Sequence, residues 1–449
     1  MARTLIRHAT LITMEAGRSS LPDVMPQTDL LVRDDCIEAI GVNLPAEGAE
    51  VVSGENCIVI PGLVNAHMHT WQTALRGLAS NWTLLEYFRK MHAGLATVFL
   101  PDDLYIATLA GALNQINCGT TTLGDWCHNN RTPEHNDAAI AGLIESGIRA
   151  AFFHGTPKPD PLPGELPFWE RPHPRAELER LMKAHQARPL LSIHAAILGP
   201  HYSTMEVALH DFQMAKELNI IASMHQGGGP ARSPEGWSVL ERMNLLGDQI
   251  NIVHGHALDD VQLKRFCELG MSFSAAAESE MSQGHGHPLT GRLRQFGRAP
   301  SLGVDLESVM SGDMFTQARI ALGIQRSLDN VSHREQHGSI PSTSTIPTRD
   351  ALAWVTIEGA RMLKSLDRLG TLAPGKQADL VVIRTDSLNM QPVHDPINTV
   401  VMQTSLANID SVMIAGQWKK REGQLLGVDL SPMLARLRTS GEKIRHALH

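Results

Sequence analysis

A chain of 449 residues with 43% apolar content is long enough for one large domain and a smaller partner, and its formal net charge of −8, with both signs interspersed, offers no basic stripe for nucleic acid. The five cysteines, Cys36, Cys57, Cys118, Cys127 and Cys267, are scattered and form no C-x-x-C pair, so they read as reduced thiols and not as a disulfide frame. No apolar run approaches the roughly 18 residues of a membrane helix, and the start, Met1 to His8, lacks a signal-peptide core, so a cytoplasmic protein without a membrane or nucleic-acid partner is expected.

In chain order, residues 4–14 and 29–41 carry short strand patterns separated by a Pro-containing loop. From about 60 to 370 the pattern alternates strand with amphipathic helix, which argues for a parallel sheet with helical crossovers. Gly119 to Asp125 predicts a strand, Asp137 to Glu145 a helix closed by Gly147, and Ile148 to His154 the next strand. The Ser/Thr/Pro stretch 338–347 reads as a loop, either a lid or a surface excursion. Beyond Leu369 the strand patterns return, at Ala378–Ile383, Val400–Met402 and Ser411–Gly416. Two β-rich ends around an alternating middle suggest one small sandwich built from both termini.

Chemistry-bearing residues sit at strand ends. The run Pro61-Gly62-Leu63-Val64-Asn65-Ala66-His67-Met68-His69 ends in His-x-His, and the period-2 alternation of a strand turns both imidazoles to the same side. Met224-His225 closes Ile220-Ile221-Ala222-Ser223, and Asn251-Ile252-Val253-His254 repeats the pattern about thirty residues later. Pro300-Ser301-Leu302-Gly303-Val304 ends in Asp305. A parallel βα barrel places its active site at such C-terminal strand ends.

With these residues in place the chain resembles the amidohydrolase superfamily over nearly its whole length, most closely the branch of cytosine-, guanine- and S-adenosylhomocysteine-type deaminases and triazine hydrolases. The resemblance implies a (β/α)8 TIM-like barrel at residues 60–370, with a composite β-sandwich from residues 1–59 and 371–449. It maps the family's site onto His67, His69, His225, His254 and Asp305. His67, His69, His225 and Asp305 are the expected metal ligands, for one divalent ion per chain: zinc, with iron and manganese as alternatives. Such an ion lowers the pKa of a bound water toward about 7. Asp305 is expected to act as ligand and base together, and His254 to orient the attacking group or polarise its target.

Other residues compete for roles. His256 lies two residues past His254; the family match favours His254. Glu280, His285 and His287 follow the seventh strand pattern, in a stretch read as a substrate-facing or plain surface loop. Trp71, Gln72 and Tyr87 lie just past the first ligands, where relatives place substrate contacts; core or rim packing is the competing account of the two aromatics. One departure stands out. Deaminases of this branch carry a Glu three residues after the fifth-strand His as a proton shuttle, and here that position is Gly228. Glu280 is the candidate replacement.

The expected function is hydrolysis of a C–N bond, or displacement of another substituent, on a small cyclic amidine, amide or N-heterocycle. A metal-dependent lyase, isomerase or decarboxylase on the same barrel is the alternative, and a non-catalytic relative using the barrel for assembly is the third reading. A small-molecule substrate is the expected partner, and homo-oligomerisation stays open, since relatives often associate.

Overall fold

Apolar, β-branched runs bounded by turn residues form strands at both ends of the chain, and pairing between the two ends joins them. The computed structural model describes residues 3–227 and 229–448. Its nine-stranded mixed sheet contains Arg3–Ile12, Val24–Arg33, Cys36–Gly41, Glu50–Ser53 and Cys57–Pro61 from the N-terminal end, and Leu380–Arg384, Ile409–Ile414, Gln417–Arg421 and Gln424–Leu425 from the C-terminal end. The junction is antiparallel, with Val59 opposite Val382. Ile6, Leu11, Leu30, Val59, Leu380, Val382 and Met413 share one buried cluster on it.

One expected strand is a helix. Val400–Met402 lies inside Pro396–Gln403, whose first turn is set by Pro396 and by the Asp395 carboxylate accepting from the Asn398 N–H. Capping and a proline at the first helical position outweigh the strand preference of two valines.

The middle of the chain supplies eight barrel strands: Leu63–Met68, Thr120–Cys127, Arg149–Gly155, Leu191–Ala196, Ala222–Gln226, Ile250–His254, Ser272–Ala275 and Ser301–Leu302, hydrogen-bonded in sequence order. The pairs from the third strand to the eighth run parallel. A parallel bridge between Met68 and Asp305 brings the last segment back to the first strand and closes the barrel. That closure needs a close approach, which Gly303 permits: a Cβ there would intrude on the His67 backbone. Helix Pro133–Ser146, ended by Gly147 at φ 71°, is one of the crossovers.

The chain divides into two compact units. One comprises residues 1–65, 113–122 and 313–428, the other residues 66–112, 123–312 and 429–449. Within the second, the final helix Leu430–Arg445 is held by Arg436 to Asp102 at 2.8 Å and by Lys443 to Asp103. Among the described residues no single helix is long and apolar enough to cross a membrane; only a bent pair, Leu84–Val98 with Pro101–Asn117, has the length and composition together.

Candidate active site

The barrel strands bring three imidazoles and one carboxylate from distant parts of the chain to one point. Ligand atoms of His67, His69, His225 and Asp305 all lie within 4.8 Å of one another. His67 Nε2 and His69 Nε2 stand 3.2 and 3.3 Å from Asp305 Oδ1, and His225 Nε2 stands 3.2 Å from His67 Nε2. Donors bound about 2.1 Å from a common ion at tetrahedral angles lie roughly 3.4 Å apart, so these spacings and this three-nitrogen, one-oxygen set fit a divalent ion such as zinc.

The surroundings prepare each group. Burial pulls the His67 pKa down to about 4 and that of His225 well below its ordinary value, which keeps ring lone pairs available. His69 Nδ1 donates to the Trp126 carbonyl at 2.5 Å, which leaves its Nε2 as the ligand atom. Asp305 Oδ2 accepts from Ser279 Oγ at 2.7 Å. Burial alone would raise the Asp305 pKa, but the His67 and His69 imidazoles against it and the nearby His254 hold it well below the usual carboxylate range.

His254 stacks beside His225, ring centroids 5.4 Å apart, and its Nδ1 meets Glu280 Oε1 at 3.0 Å. Burial works against the charged imidazole, yet this hydrogen bond and the Asp305 charge raise its pKa. His254 and Asp305 both hold left-handed backbone, at φ 67° and 69°, a strained state for residues with a Cβ that concentrates at functional sites.

The other expected residues separate into those that reach the cavity and those that do not. Tyr87 and His285 line it together with His69, His225, His254 and Asp305. Trp71 and Gln72 are buried and absent from that lining: the Trp71 Nε1–H donates to His128 at 3.1 Å, and the Gln72 amide donates to the Tyr87 hydroxyl at 2.6 Å. Both lie one layer behind it. His287 is exposed, and His256 is half-buried away from the lining. Glu280 is fully buried on helix Ala277–Gln283, where a loop was expected; Gly284 at φ 91° ends that helix. Its contact is with His254 and not with the cavity. Gly228 lies outside the described residues.

Sequence reasoning did not single out Lys158, Phe88, His92, His128, Trp126 or Tyr202, of which all but Trp126 line the cavity. For Lys158 a signal existed: it follows the third barrel strand by three residues, at the C-terminal end where such barrels keep their sites.

A closed parallel barrel with a histidine–aspartate cluster at its C-terminal strand ends defines a class of metal-site barrel enzymes. The chain belongs to the amidohydrolase family, whose sequence profile matches residues 58–419. It is 27% identical to an 8-oxoguanine deaminase of Pseudomonas aeruginosa, covering 99% of both chains, and 26% identical to a 5′-deoxyadenosine deaminase of Methanothermobacter thermautotrophicus, covering 88% of this chain and 90% of that one. An adenosine deaminase from Xanthomonas campestris, solved with bound zinc, shares the fold at TM-score 0.84 and 22% identity, with 99% of both chains covered. The atrazine chlorohydrolase of Arthrobacter aurescens TC1, complexed with zinc, shares it at TM-score 0.82 and 20% identity, covering 98% of this chain and 100% of that one.

Proposed function

We propose that this chain is a metal-dependent aminohydrolase that cleaves a carbon–nitrogen bond, or displaces another substituent, on a small N-heterocycle. The observation that carries the reading is the convergence of His67, His69, His225 and Asp305 on one point with His254 beside them. The deaminase names of the full-length relatives support it.

Zinc is our assignment for the ion these four residues would hold; the nitrogen-rich donor set and the zinc in two solved relatives support it, and when bound it supplies Lewis acidity toward water and ring. Asp305, ionised and fixed by Ser279, accepts the proton of the attacking water. His254 has its Nδ1 committed to Glu280, so its Nε2 is the atom that faces the ring, where it hydrogen-bonds the group under attack and delivers a proton to the leaving nitrogen. Glu280 acts through His254, holding its tautomer and orientation, and in this way the pair takes over the work of the carboxylate missing at Gly228.

We place the protein in the cytoplasm, a reading supported by the absence of a pairing pattern among its cysteines. The test is ammonia release from a panel of amino-substituted N-heterocycles, run alongside elemental analysis. Turnover that needs the metal is expected. Full metal content with no ammonia, amine or halide released from any ring, or turnover indifferent to metal removal, overturns the reading.

A further inference from the structure

Lys158 is a buried cation at the mouth of the barrel. The third barrel strand ends at Gly155, and the chain continues Thr156-Pro157-Lys158-Pro159, two fixed φ angles that hold Lys158 between them. The residue is 7% exposed and lines the cavity that holds His69, His225, His254 and Asp305. Its Nζ lies 5.4 Å from the ring centroid of Tyr202, 5.6 Å from that of Phe88 and 5.9 Å from that of Trp126. Among the described residues it has no hydrogen-bond or ion-pair partner. Three aromatic faces favour a cation but accept none of its N–H bonds, and lysine is rarely buried this far unless paired.

We propose that Lys158 is the substrate-recognition residue of this site, and that the ring it selects carries an oxygen acceptor, an oxo group or its ionised form, on an edge away from the carbon under attack. The acceptor is the partner the ammonium lacks. Position agrees: the Trp126 ring that Lys158 faces lies 4.1 Å, centroid to centroid, from the His225 ring, so a single ring system can span from the ligand cluster to the ammonium. Charge agrees as well, because Asp305 is the one carboxylate among the described lining residues. Burial draws the Lys158 pKa down to about 8, which still leaves it charged at neutral pH.

The proposal rests on the aminohydrolase reading for the reaction, but its binding half stands apart, and the experiment separates them. Ammonia release is measured on two matched pairs, guanine against 2-aminopurine and 8-oxoadenine against adenine, for the wild-type holoenzyme, Lys158→Met and Lys158→Arg. In parallel, calorimetry follows uric acid, an oxo ring with no amine to lose. The wild type is expected to prefer the oxo member of each pair. Lys158→Met should raise KM for that member at least about tenfold, with kcat and metal content little changed, and leave the oxo-free member unaffected. Lys158→Arg should keep part of the preference. Uric acid should bind the wild type at least about tenfold more tightly than Lys158→Met. Equal KM changes on both members of a pair, or uric acid binding indifferent to Lys158, overturns the recognition role. If Lys158-dependent uric acid binding stands while no ring releases ammonia, amine or halide, recognition survives and the hydrolytic reading falls.

Discussion

His67 and His254 differ in what they touch, and this sets different outcomes for their loss. His67 and His69 each approach Asp305 through Nε2, so His67→Ala or His69→Ala should lose both metal and activity. His254 turns its Nδ1 to Glu280, and His254→Ala should keep most of the metal while kcat falls roughly 10²–10⁴-fold. Elemental analysis beside kcat checks this; a His254→Ala protein stripped of metal would move His254 into the ligand set. Glu280 Oε1 accepts from both His254 and the Ala276 N–H. Glu280→Gln should therefore retain metal and fold but lose kcat about a hundredfold, most with poor leaving groups, since the proton-donating imidazole loses its anchor. Wild-type rates across good and poor leaving groups would leave Glu280 without that role.

Among the elements, the closing strand depends on one missing side chain. The Gly303 N–H donates to the Ala275 carbonyl at 2.9 Å, and the Asp305 N–H donates to the His67 carbonyl at 2.9 Å, so the segment is pinned from both sides. A methyl group at Gly303 has to displace the His67 backbone, an overpacking cost of about 1–3 kcal/mol. Gly303→Ala should weaken metal binding at least about tenfold by moving Asp305 away from His67, with secondary structure by circular dichroism retained. Metal affinity equal to that of the wild type would show that the barrel absorbs the shift elsewhere.

Across the whole molecule, buried neutral histidines set the response to acid. His154, on the third barrel strand, meets His173 at 3.0 Å, and burial draws their pKa values down to about 4 and about 3. Unfolded, each returns to about 6.5, so between those values the unfolded chain binds more protons than the folded one. The stability these groups contribute is therefore full above about pH 6.5 and is lost as pH falls toward 4. Tm of the metal-free protein should drop by at least about 5 °C between pH 7 and about 4.5, and His173→Gln should flatten part of that slope. A Tm independent of pH over this window would mean that these imidazoles protonate without cost.

Strand ends carrying His67, His69, His225, His254 and Asp305 were legible in the sequence because each sits at the close of a short apolar run, and both pattern and ligand chemistry are local. The alternating middle and the β-rich ends pointed to the barrel and to the sheet shared by the termini for the same reason. Where a local rule competed with another the reading slipped: two valines at 400–401 suggested a strand, and the capping of Asp395 decided for a helix. Residues judged by nearness in sequence fared unevenly, since Tyr87 reaches the cavity while Trp71 and Gln72, beside the first ligands, turn away from it. The partnership of Glu280 with His254, the three aromatic rings around Lys158 and the return of Asp305 to His67 belong to the tertiary structure alone. They join side chains separated by tens to hundreds of residues, and only barrel closure, which fixes the register of eight strands at once, determines which of them meet.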